Sequence, residues 1–208
     1  AVDEFSALVD FFQNDPTYAN KTLTVTSGDI IIPGPRFYAA ENVAVRSVTG
    51  SNEPGHLDIA FANSFGVQAS VFGNHEFDQG PGELFDAAFS SESYNGVTFP
   101  GSNFPWLATN IEFTANGDFS GVVGTDGDNV TNLNSKVAKF AIVNIDGENI
   151  GLIGAVAPSF PFITSLGDLI VTPAVNASIA QLAAEIQPSV DALALAGVNK
   201  IILLAHMQ

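Results

Sequence analysis

Apolar residues recur along the first half of the chain with the spacing of helices and of short buried strands. The helical spacing begins with Phe5, Leu8, Val9 and Phe12. It predicts three helices, over residues 3–14, 55–65 and 82–89. Runs of β-branched and apolar residues predict two strands, over residues 22–26 and 67–72. The order of strand, loop and helix is typical of an α/β fold.

The middle of the chain combines one more strand with a long polar loop. WLATN predicts a strand over residues 106–110, and the Asn-, Gly- and Asp-rich residues 114–135 predict a loop. The TDGDN segment in this loop resembles part of a calcium loop. An EF-hand that starts at Asp126 needs a Glu at its twelfth position, where Val137 stands. A turn is therefore the favoured interpretation of this segment.

The last third of the chain predicts a hairpin, a helix and a final strand. Two apolar runs flank Asp146 and Gly147, which is a hairpin signal. Helical spacing continues from Asn176 onward, and Pro188 is expected to kink or split that helix. KIILLAH predicts a buried strand that ends at His206.

Composition limits the partners of such a protein. The 46% of hydrophobic residues suffices for a core, and no linker divides the chain, so residues 1–208 are expected to form one α/β domain. Lys and Arg number 6 against 22 Asp and Glu, a net charge of -16, which argues against a nucleic-acid polymer as partner. The same charge would repel a phosphate substrate unless bound cations reverse the local sign.

Cysteine content and hydropathy exclude further classes. The chain has no Cys, which rules out disulfides, thiolate metal sites and Cys nucleophiles. No apolar run is long enough for a membrane span, and the first residues lack the features of a signal peptide. Strong acidity with few lysines favours an extracellular or periplasmic protein.

Polar side chains follow three of the predicted strands. They are Asp29, the cluster Asn74, His75, Glu76 and Asp78, and His206. In open α/β sheets ligands bind at the carboxyl ends of the strands, so these segments are expected to converge on one site. A carboxylate can bridge two divalent cations, while an amide oxygen and an imidazole can complete the ligand set of one of them.

The order of these motifs resembles a known family. Gly28-Asp29, then GNHEFD at 73–78, then a lone His after an apolar strand resembles the calcineurin-like metallophosphatases of the 5'-nucleotidase branch. NFPWLATNI, DGENIGLIGAVAP and GVNKIILLAHMQ are similar to further segments of that branch, so the resemblance covers roughly residues 5–208. It implies a sandwich of mixed β-sheets flanked by helices and two divalent metal ions, with Zn, Mn, Co or Ca as the candidates.

The resemblance also implies a role for each matching residue. Asp29 would bridge both metals, and Asn74 and His206 would both bind one of the two. His75 would be the general acid that protonates the leaving oxygen, and Asp78 would orient its imidazole. A substrate-side role is assigned to one further residue, Asn110. The implied reaction is in-line attack on phosphorus by a metal-activated hydroxide, with a small phosphate ester, such as a nucleotide, as substrate.

The chain departs from the family pattern at both ends. The metal-binding Asp-x-His motif is expected before the helix over 3–14, and the final Gly-His motif is expected after His206. The chain is therefore interpreted as a partial catalytic domain without the substrate domain, nearly inactive by itself. The loop IIIPGPRF after Asp29 also departs from the nucleotidase pattern. An alkaline phosphatase, a cyclic nucleotide phosphodiesterase and a non-catalytic surface binding domain therefore stay open as alternatives.

Several polar residues have structural interpretations. Glu76 is expected to hydrogen-bond to the backbone, and His56, in a Pro-Gly loop, is expected to be solvated. Arg36 is interpreted as part of a surface salt bridge, with a phosphate contact as the alternative. Oligomeric state cannot be inferred from these patterns.

Overall fold

The fold is described from a computed structural model that covers residues 2–207. The α-helices are α1 (Val2–Asn14), α2 (Val43–Thr49), α3 (His56–Ser64), α4 (Pro81–Phe89) and α5 (Ile179–Leu195). The first seven strands are β1 (Val25–Thr26), β2 (Ala69–Val71), β3 (Glu92–Tyr94), β4 (Val97–Phe99), β5 (Trp106–Leu107), β6 (Ile111–Glu112) and β7 (Val137–Ala138). The remaining strands are β8 (Phe140–Ile145), β9 (Glu148–Val156), β10 (Ile170–Val171) and β11 (Lys200–His206).

The strands form two larger sheets and two antiparallel pairs. Strands β1, β2, β5 and β7 lie side by side in that order and run parallel. Strand β9 lies between β11, to which it is parallel, and β8, to which it is antiparallel. The pairs β3–β4 and β6–β10 complete the set. The predicted mixture of sheets with flanking helices is confirmed, as is the hairpin around Asp146 and Gly147.

The parallel sheet has shorter strands than the sequence predicted. The predicted strand over 22–26 is reduced to Val25 and Thr26. Thr24 and Gln68 are joined by one backbone bond, from the Gln68 N–H to the Thr24 carbonyl at 2.8 Å, but the N–H of Thr24 donates to the side-chain Oε1 of Gln68 at 3.1 Å. A side chain that competes for backbone groups in this way ends regular pairing early.

The helices agree closely with prediction, apart from the effect of Pro188. Helix α5 begins with a capping box, in which Ser178 and Gln181 satisfy each other's backbone N–H groups. It continues through Pro188 as one helix, so of the predicted kink or split, the split does not occur. Leu182 and Leu193 are buried on its inner face, and this packing outweighs the loss of one helical hydrogen bond.

The two larger sheets touch through their main chains. A Cβ at Gly154 would lie 2.1 Å from the carbonyl oxygen of Leu107, so only glycine fits there. The Gly154 carbonyl accepts the N–H of Thr109 at 2.8 Å, which joins the two sheets directly. Beside this contact, the Trp106 indole stacks on Phe72 with ring centroids 5.0 Å apart. The core therefore lies directly beneath the loops that follow β2 and β5.

Two predicted environments are wrong. His56 is fully buried rather than solvated: its ring stacks on Phe99, its Nδ1 contacts Ser51 Oγ, and its Nε2 lies 2.7 Å from the carbonyl oxygen of Asp86. The preceding Pro-Gly turn leads straight into α3, which places His56 inside. Strand β11 is an edge strand, and Leu203 is 49% exposed, so this strand is not buried as predicted.

The polar loop over 114–135 is held by turns. Asp126 Oδ1 accepts the N–H of Lys139 at 2.7 Å, and Asp128 Oδ1 accepts the N–H of Asn129 at 2.7 Å. These carboxylates cap backbone groups, which agrees with the turn interpretation of TDGDN. No helix within residues 2–207 is both long and apolar enough to cross a membrane.

Candidate active site

The three residues predicted as metal ligands converge at one end of the sheets. His206 Nε2 lies 3.2 Å from Asn74 Oδ1 and 3.6 Å from Asp29 Oδ2. Asp29 follows β1, Asn74 follows β2 and His206 ends β11, so each comes from the carboxyl end of a strand. The predicted convergence of these segments is therefore observed.

The hydrogen bond on the far side of the His206 ring sets its tautomer. Nδ1 lies 2.7 Å from the carbonyl oxygen of Ser27, which can only accept, so Nδ1 carries the hydrogen. In the neutral ring the lone pair of Nε2 then faces the oxygens of Asn74 and Asp29. Three electron-pair donors that point toward one another favour a cation between them.

Two glycines allow the Asp29 loop and the Asn74 loop to cross. A Cβ at Gly28 would lie 2.3 Å from the backbone nitrogen of Gly73, and a Cβ at Gly73 would lie 2.2 Å from Asp29 Oδ1. Gly28 and Asp29 both have positive φ, +92° and +58°. The contact that brings the two loops together thus requires glycine on both sides.

Glu76 fixes the backbone of both loops. Its carboxylate is buried and accepts the N–H groups of Asp29 (2.9 Å), Ile30 (2.6 Å), Ile31 (3.0 Å) and Gly73 (2.6 Å). Burial raises the pKa of Glu76 to about 6, and these backbone donors lower it. Glu76 therefore has the structural, backbone-binding role that the sequence predicted.

His75 and Asp78 form a hydrogen-bonded pair at the edge of the site. His75 Nδ1 lies 2.5 Å from Asp78 Oδ2, and the backbone N–H of His75 donates to Asp29 Oδ1 at 3.2 Å. The hydrogen bond that His75 donates to Asp78 is the main cause that raises the pKa of His75, whose side chain is 39% exposed. A partly exposed imidazole held in this way can carry a proton to a bound ligand.

Asn110 lies beside the site but is occupied by backbone contacts. Its Nδ2 donates to the Val156 carbonyl at 2.9 Å, and its Oδ1 accepts the Val156 N–H at 2.9 Å. The side chain is buried and ties the end of β9 to the segment after β5. Its substrate-side role stays a prediction.

Two supporting residues were not found from the sequence. Thr164 Oγ1 donates to the Asn74 carbonyl at 2.6 Å from a segment 90 positions away, for which local patterns give no signal. Asp58, buried in the first turn of α3, pairs with Arg36. One signal in the sequence could have identified Asp58: it is an acidic residue among the apolar residues on the buried side of a predicted helix. The predicted salt bridge of Arg36 is thus observed, with a buried rather than a surface partner.

The donor set fits a divalent cation only in part. Within residues 2–207 no three His, Cys, Asp or Glu side chains gather into a metal site, because the third donor here is the amide of Asn74. One carboxylate, one amide oxygen and one imidazole suit a metal of intermediate hardness, such as Zn or Mn. Asp29, Asn74 and His206 are compatible with a metal centre that takes further ligands from elsewhere.

The curated relatives of the chain include several 5'-nucleotidases. The chain is 28% identical over 148 residues to the snake venom 5'-nucleotidase of Gloydius brevicauda, which covers 71% of the chain and 20% of that protein. The 5'-nucleotidase of Mus musculus is 30% identical over 151 residues, which covers 72% of the chain and 21% of that protein. No family model matches the chain. The chain spans about a fifth of the length of these curated relatives.

Solved structures show the same fold. A calcineurin-like phosphoesterase from Bacillus subtilis superposes with a TM-score of 0.58 at 20% identity, covering 97% of this chain and 52% of that one. The fold predicted from the sequence motifs is therefore found.

Proposed function

We propose that this chain, a relative of the 5'-nucleotidases with the fold of the calcineurin-like phosphoesterases, is part of the catalytic domain of a metal-dependent phosphoester hydrolase. The observation that carries the proposal is the convergence of Asp29, Asn74 and His206 from three strand ends. The hydrogen bond from His206 Nδ1 to Ser27 turns Nε2 toward the other two side chains. A carboxylate, an amide oxygen and an imidazole are all side-chain groups that can bind divalent metal ions.

The cofactors we propose are two divalent metal ions, with Zn, Mn, Co or Ca as candidates. Asp29 would help to hold both, and Asn74 and His206 would both help to hold one of the two. When bound, the ions would activate water and neutralise charge on the phosphoryl oxygens. This also answers the electrostatic problem of the chain, because a net charge of -16 would otherwise repel a phosphate ester.

His75 is proposed as the proton donor to the leaving oxygen. Asp78 holds its Nδ1, which leaves Nε2 as the atom for transfer and favours the protonated ring. The His75 backbone, in turn, holds Asp29, so the proton donor and the metal ligand share one loop contact. A shift of this loop would therefore disturb both functions.

The proposed substrate is a small phosphate ester, with nucleoside monophosphates first because the curated relatives are 5'-nucleotidases. An extracellular or periplasmic location is proposed with it, since the relatives include a venom protein. The loop IIIPGPRF after Asp29 differs from the nucleotidase pattern, so a broader alkaline phosphatase or cyclic phosphodiesterase activity is the second candidate.

One assay series tests these proposals. The complete protein is stripped with a chelator, reloaded with Mn, Zn, Co or Ca, and assayed for phosphate release from AMP, a cyclic nucleotide and p-nitrophenyl phosphate. We expect activity only after reloading, and highest on AMP. Asp29→Asn is assayed beside Asp10→Asn. Asp10 lies on the exposed face of α1, so this second variant controls for the loss of one negative charge. Metal binding without hydrolysis of any of these esters would favour a non-catalytic binding domain.

A further inference from the structure

The Asp29 loop is held by a second side chain besides Glu76. Arg36 Nη2 donates to the carbonyl oxygen of Ile30 at 3.3 Å, and Arg36 Nε pairs with the carboxylate of Asp58. Ile30 directly follows Asp29. The guanidinium therefore contacts the backbone next to the carboxylate that we assign to the metals.

The contacts of Arg36 and Glu76 meet on one peptide group. The Ile30 carbonyl binds Arg36, and the N–H of Ile31, which belongs to the same peptide unit, binds Glu76 Oε1 at 3.0 Å. A peptide held at both its oxygen and its hydrogen cannot rotate without breaking two hydrogen bonds. This matters here because Asp29, with φ of +58°, has a backbone conformation that costs energy and persists only when its surroundings impose it.

Asp58 in turn fixes Arg36. The Asp58 side chain is 0% exposed, whereas that of Arg36 is 49% exposed. Within the described residues the Asp58 oxygens accept no hydrogen bond beyond this ion pair. Burial raises the pKa of Asp58 to about 6, and the guanidinium lowers it. Each partner needs the other, because a buried carboxylate without a counterion is strongly destabilising.

The pairing also removes an electrostatic conflict. Asp29, Arg36 and Asp58 line one cavity of about 400 Å³ between α1, β1 and α3. A lone guanidinium beside Asp29 would oppose the binding of a cation there. Because Asp58 neutralises it, Arg36 can supply the geometry of its planar fork without adding net positive charge.

We propose that Arg36, anchored by Asp58, is a positioning residue that clamps the Ile30–Ile31 peptide and thereby keeps the Asp29 carboxylate directed at Asn74 and His206. The proposal rests on the proposed function in one respect, the role of Asp29 as a metal ligand. This role differs from both roles that the sequence suggested for Arg36, a surface salt bridge and a contact with phosphate.

The test compares Arg36→Gln, Arg36→Lys and Asp58→Asn with Lys200→Gln, which removes one charge from the exposed pair with Glu148. Amide hydrogen exchange of Ile31 in the metal-free complete protein reports the clamp itself. We expect Arg36→Gln to speed this exchange about tenfold, as local opening does, while other amides keep their rates. Arg36→Lys should rescue it in part, because an ammonium keeps the charge but not the fork.

Calorimetric titration with Mn²⁺ reports the consequence for the site. Arg36→Gln should weaken binding by about 10–100-fold, the range for residues that orient metal ligands, and Lys200→Gln should not change it. Unchanged Ile31 exchange in both Arg36→Gln and Asp58→Asn would overturn the proposal. So would a rise in KM for the ester with unchanged exchange and Mn²⁺ affinity, which would make Arg36 a substrate contact.

The two measurements, hydrogen exchange of Ile31 and titration with Mn²⁺, distinguish a failure of this proposal from a failure of the proposed function. If the unaltered protein binds no Mn²⁺ and cleaves no ester, the proposed function fails, and exchange alone decides the clamp. If Arg36→Gln does not fold, Arg36→Lys and Asp58→Asn give the same comparison with the charge of Arg36 retained.

Discussion

The buried carboxylate of Glu76 accepts the backbone N–H of Asp29 at 2.9 Å, although the two residues stand 47 positions apart. The same carboxylate holds Gly73, at the start of the loop that carries Asn74 and His75. One side chain thus sets the backbone of two loops whose own side chains form the site. The positions of the proposed metal ligands therefore depend on a residue that is not itself proposed as a ligand.

Glu76→Gln is expected to damage both stability and metal binding. The amide keeps the shape of the side chain, but its NH₂ group faces backbone N–H donors, which leaves buried groups unsatisfied at a cost of about 1–3 kcal/mol. Urea denaturation of this variant and of Glu41→Gln, an exposed control on the same chain, measures the difference. Equal stability of the two variants would contradict the assigned role.

Asp29→Asn is expected to lose at least one metal ion per chain, because a neutral amide cannot bridge two dications as a carboxylate does. Metal analysis after gel filtration measures the stoichiometry, with Asp10→Asn as the control for charge. Full occupancy together with normal activity would show that Asp29 is only a turn residue.

His75→Ala is expected to lower turnover by about 10²–10⁴ on an ester with a poor leaving group, while the metals stay bound. On p-nitrophenyl phosphate, whose leaving group needs little protonation, the loss should be smaller. Asp78→Asn should reproduce part of the effect, because it removes the hydrogen bond that orients the ring. Equal losses on both esters would argue against proton donation.

The buried His56 is expected to contribute to the pH dependence of the free energy of unfolding. Burial lowers the pKa of His56 below 6.5, against the opposing effects of the Asp86 carbonyl and of Glu92, Glu53 and Asp86 as charges. The folded state therefore favours the neutral ring, and this contribution is present above pH 6.5 and is lost as the pH falls through the lowered value. The free energy of unfolding of His56→Gln should change less between pH 7.5 and pH 5 than that of the unaltered protein.

The chain has 3 histidines, so an NMR titration can assign each imidazole separately. The His56 ring should titrate below 6.5 and that of His75 above it, because Asp78 raises the pKa of His75. If the His56 ring titrates like a solvated imidazole, His56 lies at the surface, as the sequence predicted, and is not buried.

The sequence predicted that the candidate ligands lie together, but it did not predict the residues that support them. Asp29, Asn74 and His206 were selected because each follows an apolar run and because their order, around the specific GNHEFD motif, resembles a family pattern. The structure places them side by side, and their role as metal ligands stays a prediction. Thr164 and Asp58 were missed because their partners lie far away in the chain, and no local period reports such a contact.

Environments were harder to predict than elements. The spacing of α3 was correct to within one residue at each end, yet His56 at its start was expected in solvent. Its burial depends on Phe99, which reaches it from the β3–β4 hairpin. Likewise, the apolar residues of β11 are compatible with a central strand and with an edge strand. The neighbours of a strand are set by the topology of the sheet and not by the strand's own residues.

The contact of Gly154 with Leu107 has a mechanical consequence. At this contact the backbone of one sheet lies directly against the backbone of the other, without side chains between them. If one sheet slid along the other, the hydrogen bond from the Thr109 N–H to the Gly154 carbonyl would have to break. The two sheets are thereby locked against shear beneath the site. An opening that admits a ligand is therefore expected in the loops above this contact, while the spacing of the strand ends stays the same.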